Sequence, residues 1–234
     1  MGVFRFKQFA VDQGNCAMKI NTDGVLLGSS THFPQAHRIL DIGTGTGVIA
    51  LMLAQSHPEA LVDAVELDQE AAEQADRNFH ASPFADRLQL FAGSFVDMQP
   101  SEPYDLIVSN PPFYTNALHT PDARKRLAKH TDTTFFTALL AFVAQHLAEE
   151  GLFRLIVPAA LADELQETLL PQQGLFVQQE MAIASFSGGE IIRKILGIGK
   201  APKVVCRSQF VIYVEKGIYS EAYKTLLKPY FLAY

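Results

Sequence analysis

Short apolar runs alternate with longer amphipathic stretches through most of this 234-residue chain. Ile39-Leu40-Asp41-Ile42, Leu61 to Leu67, Leu88 to Ala92, Tyr104 to Ser109 and Leu152 to Val157 read as strands, buried wherever the run is wholly apolar. Between them, Val48 to Ala54, Asp68 to about Ser82, and the stretches near 133–149 and 159–170 read as helices. Further apolar runs near 175–185 and 204–215 bring the strands to seven. Strands alternating with helices over short connections call for a mostly parallel sheet covered on both faces, an α/β domain.

Two features frame that core. Phe4-Arg5-Phe6-Lys7-Gln8-Phe9 alternates aromatic and polar residues and reads as an edge strand. Thr22 or Asp23 offers an N-cap for a short helix over 24–30. Residues 1–34 are thus an N-terminal extension of a single domain spanning 1–234. Gly151 breaks the pattern before the strand at Leu152.

With 48% hydrophobic residues, the chain can bury a large core. No apolar run approaches the roughly 18 residues of a membrane span, and the N-terminus lacks a signal-peptide pattern. Cys16 and Cys206 are too few for a disulfide framework or a Cys-rich metal site, so a reduced, cytoplasmic setting and no metal are expected. The formal charge of −6 argues against indiscriminate binding to nucleic acid, while leaving room for a local basic face.

The most informative stretch is Asp41-Ile42-Gly43-Thr44-Gly45-Thr46-Gly47. A strand ends in a carboxylate, passes through three alternate glycines and opens into a helix. Glycines let the backbone pass close under a ligand, and the helix start presents unpaired N–H groups. A dinucleotide fingerprint would place its third glycine one residue later, where Val48 stands, and Asp41 would repel a pyrophosphate. The carboxylate suits a cationic ligand such as the ammonium group of S-adenosylmethionine. Glu66, 25 residues further on at the end of the next strand with Leu67 beside it, is spaced to meet a ribose hydroxyl pair. Ser94 and Phe95 follow the third strand of the unit, and Lys19, Thr22 and Asp23 would form the lip of the pocket.

The fourth strand runs directly into Asn110-Pro111-Pro112-Phe113. An exocyclic amino group on a purine, or an amide nitrogen, is a poor nucleophile because its lone pair is delocalised. Two acceptors aimed at its N–H protons favour a pyramidal nitrogen with the lone pair free. Asn110 offers a carboxamide oxygen and Pro111 a carbonyl, and consecutive prolines stiffen the turn that carries them. Phe113 can stack on a flat base.

D-x-G-x-G-x-G resembles the first motif of class I S-adenosylmethionine-dependent methyltransferases, whose Rossmann-like fold matches the strand–helix alternation. The N-P-P-F tetrad resembles that of enzymes methylating adenine N6, guanine N2 or glutamine amide nitrogen. Phe4 to Phe9, Lys19 to Gly28, the glycine loop, Ala64-Val65-Glu66-Leu67, the tetrad and the tail Tyr219-Ser220-Glu221-Ala222-Tyr223 occur in the order of a narrower family, which they resemble. It is the bacterial family that methylates adenine N6 beside the anticodon of valine tRNA.

That resemblance implies a tRNA methyltransferase, and a monomer is expected. Positive surface for the RNA would come from Arg124, Lys125, Arg126 and Lys129, and from Arg193, Lys194, Lys200 and Lys203. Rival readings are a guanine-N2 methyltransferase for ribosomal RNA, a glutamine-N5 methyltransferase for protein, and a catalytically silent RNA-binding scaffold.

Overall fold

The structure is a computed structural model describing residues 2–14, 19–112 and 122–234, with the backbone alone for 122–132. A two-stranded hairpin, β1 (Phe4–Arg5) and β2 (Ala10–Val11), precedes helix α1 (Thr22–Ser30). Then come β3 (Arg38–Ile42), α2 (Val48–Ser56), β4 (Leu61–Glu66), α3 (Gln69–His80), β5 (Leu88–Ala92) and β6 (Tyr104–Ser109). Helix α4 (Asp122–His146) leads into β7 (Leu147–Pro158), and a helical segment over 159–172 leads into β8 (Phe176–Phe186). The chain closes with β9 (Ile191–Gly199), β10 (Cys206–Glu215), β11 (Ile218–Tyr219) and a last helix, Glu221–Leu227.

The main sheet runs β11-β10-β8-β9-β7-β6-β3-β4-β5. Its half from β7 to β5 is parallel throughout, and β9 lies antiparallel between β7 and β8. The α/β class expected from the sequence is what is found, but with nine strands in place of seven. The additional strands are β9 and the short β11. Residues 191–199 lack strict alternation and carry Arg193 and Lys194 in mid-run. β-Branched Ile191, Ile192, Ile195 and Ile198 nonetheless suit a strand that neighbours cover on both sides.

Other boundaries differ. Helix α4 starts at Asp122, ahead of the stretch near 133 expected from the sequence, and takes in the basic run, since Ala, Arg, Lys and Leu are all strong helix formers. The break at Gly151 falls inside β7, where the pairing with β6 jumps from Leu147 to Leu152. Asn21, not Thr22 or Asp23, caps α1, its Oδ1 accepting from Gly24 N at 2.8 Å.

Each face of the sheet buries its own apolar cluster. Leu26, Leu27, Leu51, Leu53, Phe79 and Leu227 cover one face, and Phe136, Leu139, Leu140, Val143 and Leu165 the other. The chain ends meet on the first face. Lys7 Nζ donates to the carbonyls of Lys228 and Tyr234 at 2.6 and 2.7 Å, and Phe6 packs on Phe231. The N-terminal segment also reaches the glycine loop's support: Asn78 of α3 donates to Asp12 O and to Thr46 O, at 3.0 and 2.9 Å.

Candidate active site

β3, β4 and β6 lie side by side and parallel, so Asp41, Glu66 and Asn110 emerge at one edge of the sheet; Ile42 pairs directly with Ser109. Ser109 Oγ donates to Ile42 O at 3.0 Å and fixes the two strand ends to one another. This is the carboxyl edge, where open α/β sheets bind their ligands.

Asp41 is fully buried beneath the glycine loop. Its Oδ2 accepts from Thr44 Oγ1 at 2.6 Å and from Ala50 N, in the first turn of α2, at 3.2 Å. Oδ1 has no partner among the described residues. Burial pushes the carboxyl up to about 7; the bonds from Thr44 and Ala50 pull it down, and the nearby Glu66 carboxylate pushes it up again. Glu66 is half-buried, with Oε2 accepting from Gly45 N at 2.8 Å and Oε1 from Asp68 N at 3.0 Å. Each oxygen keeps lone pairs for a hydroxyl donor.

The three glycines differ. Gly43 and Gly45 have φ of 73° and 57°, and a Cβ added to either would meet nothing within 4 Å. Gly47, at φ 82°, would place a Cβ 2.5 Å from Phe79 Cε1. The first two glycines therefore border open space and the third borders α3. An open backbone cradle, a ribose-directed carboxylate and a buried orphan carboxylate oxygen together fit a cationic nucleoside cofactor.

Beside Glu66, Leu67 leaves 75% of its surface exposed. Gly93 N donates to Glu66 O at 2.7 Å, which brings Ser94 and Phe95 to the same edge. Phe95 is half-buried, held edge-on by Phe135 and Phe142 of α4 at 5.9 and 5.6 Å. Lys19 is exposed just ahead of α1.

Asn110 is half-buried, Pro111 buried and Pro112 exposed; Phe113 lies outside the described residues. The first turn of α1 backs the asparagine, because a Cβ on Gly24 would stand 3.4 Å from Asn110 Nδ2 and 3.5 Å from Asn21 Oδ1. Asn21, Gly24, Thr44 and Asn78 were missed by sequence reasoning. Only Asn21, an Asx residue opening an apolar stretch, carried a local signal.

Arg193, Lys194, Lys200 and Lys203 do not form one face. Arg193 stands opposite Pro158, at the carboxyl end of β7, with its Nε donating to Asp23 Oδ2 at 2.8 Å. Lys194 is held by Asp163 at 2.6 Å and Glu180 at 3.4 Å. Lys200 and Lys203 pair with Glu149 and Glu150, at 3.3 and 3.4 Å. Lys200 follows β9 at its far end, where Gly199 pairs with Phe176. At about 3.3 Å per residue, that is roughly 20 Å of strand from Arg193, toward the opposite edge of the sheet. The side chains of Arg124, Lys125, Arg126 and Lys129 lie outside the described residues, on a helix that begins at Asp122, 12 positions after Asn110 in the sequence. Among the described residues, no His, Cys, Asp and Glu group is arranged to hold a metal, and no helix is long and apolar enough to cross a membrane.

A family model for the methyltransferase small domain matches residues 16–167. The tRNA1(Val) (adenine(37)-N6)-methyltransferase of Pedobacter heparinus is 47% identical over 231 residues, covering 99% of this chain and 98% of that protein. The enzyme of the same name from Aeromonas hydrophila is 40% identical, covering 98% and 97%. Among solved structures, the predicted O-methyltransferase Atu636 of Agrobacterium tumefaciens superposes with a TM-score of 0.68 at 17% identity, over 89% of this chain and 96% of that one. The glycopeptide N-methyltransferase MtfA, solved with S-adenosylmethionine, gives 0.55 at 15% identity, over 78% and 100%. These two similarities speak for the fold alone. With residues 16–167 matched by the family model and the sequence relatives aligned nearly end to end, the chain belongs to the methyltransferase small domain family and, within it, to the tRNA1(Val) (adenine(37)-N6)-methyltransferases.

Proposed function

We infer that the protein transfers a methyl group from S-adenosylmethionine to N6 of adenine 37 in tRNA1(Val). The observation that carries this reading is the placement of Asn110 one strand from the Asp41 loop, at paired strand ends. The relatives carry the same activity in their names. In this reading Asp41 and the backbone of Gly43 and Gly45 hold the cofactor's amino-acid end, with Lys19 and Thr22 at the lip. Glu66 takes the ribose hydroxyls, while Leu67, Ser94 and Phe95 border the adenine. The cofactor supplies an electrophilic methyl on a sulfonium.

The chain's own contribution is to prepare the acceptor nitrogen. Gly24 backs the Nδ2 end of the Asn110 amide, which leaves Oδ1 for one N–H of the substrate amino group. The Pro111 carbonyl takes the other. With both protons engaged, the lone pair is directed outward, and Phe113 would stack on the ring. No group with a shifted pKa is required, because methyl transfer leaves a neutral thioether and a cationic nitrogen, which then releases its proton to water.

The RNA reaches this edge as a splayed anticodon loop, whose unstacked adenine enters without breaking a duplex. Of the basic residues, those at the start of α4 follow the tetrad most directly and are proposed to hold phosphates. The protein is proposed to act as a monomer in the cytoplasm, where its tRNA resides.

Incubation with tRNA1(Val) and S-adenosylmethionine, followed by digestion to nucleosides, should yield N6-methyladenosine mapped to position 37. N2-methylguanosine, or methylation of protein glutamine without an RNA product, would overturn the assignment. Asn110→Ala should raise the activation barrier for kcat by about 2–4 kcal/mol, as for other preorganised polar groups, with cofactor affinity little changed.

A further inference from the structure

Helix α1 is strapped to the sheet by an arginine at each end. At its carboxyl end, buried Arg154 of β7 donates to Ser30 O and Ser30 Oγ, both at 3.4 Å, and to Gln179 of β8 at 2.9 Å. At its amino end, Arg193 of β9 grips Asp23 in the first turn, with the two side chains only 29% and 23% exposed. A second Arg193 donor, Nη1, bonds to Ile192 O at 2.9 Å and steadies the guanidinium on its own strand. The next residue after Asp23 is Gly24, the one that packs against Asn110. The sequence suggested Asp23 for cofactor and Arg193 for RNA. The structure joins them to each other across 170 positions of chain.

We propose that the Arg193–Asp23 pair is a positioning device for Asn110. It holds the first turn of α1 at the sheet edge, and Gly24 then fixes where the carboxamide stands. The proposal rests on the reading of Asn110 as the residue that prepares the adenine amino group. A half-buried pair suits such a task, since partial burial limits screening by salt and fixes the distance between its two elements. Displacing the amide by an ångström costs transfer rate rather than binding, because bound geometry governs reactivity steeply.

The test uses Asp23→Asn, Arg193→Ala, Arg193→Lys and the double variant Asp23→Asn/Arg193→Ala in the full-length protein. Arg193→Ala and Asp23→Asn should each lower kcat about 10- to 100-fold, by the scale of a misplaced group. KM for tRNA and affinity for S-adenosylmethionine should stay within about threefold. Arg193→Lys should recover much of the rate, and the double variant should be no slower than the slower single one, as for residues acting through one contact. Independently of any activity, the Asn110 side-chain amide resonance in ¹⁵N NMR should move in Asp23→Asn. An unmoved resonance would overturn the proposal even with an active enzyme. So would a rise in tRNA KM confined to the Arg193 variants, or a loss of cofactor affinity confined to Asp23→Asn, which would return the two residues to separate roles. Wild-type activity on adenine, measured in the same series, tests the underlying reading separately.

Discussion

At the carboxyl ends of β3 and β4, Asp41 keeps an oxygen without a partner among the described residues, and Glu66 accepts from backbone N–H groups. Three strands away from β3, on β9, Arg193 is paired with Asp23, and Lys194 with Asp163 and Glu180. One flank of the sheet holds charge in an incomplete state, and the other neutralises it within the fold. A buried carboxylate short of partners lowers stability until a ligand completes it. A paired one contributes to the fold and has less to offer a ligand.

The sharpest way to break this comparison is through Asp41. Its folded-state pKa of about 7 stands above the ordinary 3.8, so between these values the native state holds a proton that the unfolded chain has lost. Stability of the ligand-free protein should therefore fall as pH rises from about 4 through 7. At about 1.4 kcal/mol per unit, the cost above pH 7 is on the order of 4 kcal/mol. Asp41→Asn keeps an acceptor for Thr44 and Ala50 without the charge. It should melt higher than wild type at pH 8, with the gap closing toward pH 5. The same variant should bind S-adenosylmethionine at least 100-fold more weakly at pH 8 by calorimetry, as expected when a desolvated charge partner is removed. A variant that melts lower at pH 8 and still binds the cofactor would mean that Asp41 is simply part of the fold.

The incomplete flank was also the legible one. Asp41 to Gly47, Glu66 and Asn110 to Pro112 are short contiguous signals, each set by the turn it sits in, and they emerge at one edge because parallel strands align their ends. The completed flank depends on partners far away in sequence. β9 is a strand because β7 and β8 enclose it, and Arg193 meets Asp23 only once α1 has packed on the sheet. Neither fact is written near residue 193. The start of α4 was not legible for another reason: a run of charges carries no apolar period to mark a helix, although the intrinsic preference of its residues is helical.

Within the glycine loop, the contrast between open and filled space can be sharpened residue by residue. Gly47→Ala drives a Cβ toward Phe79 at a left-handed backbone position, so the protein should lose about 2–4 kcal/mol in urea unfolding from strain and overpacking together. Gly45→Ala meets open space and carries the left-handed strain alone, about 1–2 kcal/mol. Its main effect should appear as weaker cofactor binding. Equal losses of stability in the two variants would show that the first two glycines are no more open than the third.

The smallest expected effect concerns RNA. Lys200 and Lys203 lie toward the far edge of the sheet, paired with Glu149 and Glu150, which are 86% and 85% exposed. Surface pairs of this kind are worth less than about 1 kcal/mol, so removing them should barely alter stability. Their distance from Asn110 predicts that the double variant Lys200→Ala/Lys203→Ala leaves the salt dependence of kcat/KM for tRNA unchanged. Arg124, Lys125, Arg126 and Lys129 begin the helix that follows the tetrad. Each phosphate left without its cation there should flatten the plot of log kcat/KM against log salt by about 0.7, the counterion release of a single strand. Stability curves measured alongside would separate this from unfolding, because α4 is anchored by Phe136, Leu139 and Leu140, away from the charged turns. A flatter slope in the Lys200/Lys203 variant would mean that tRNA extends across the sheet to its opposite edge. The paired lysines there would then exchange their glutamates for phosphates, and the completed flank would be part of the binding surface after all.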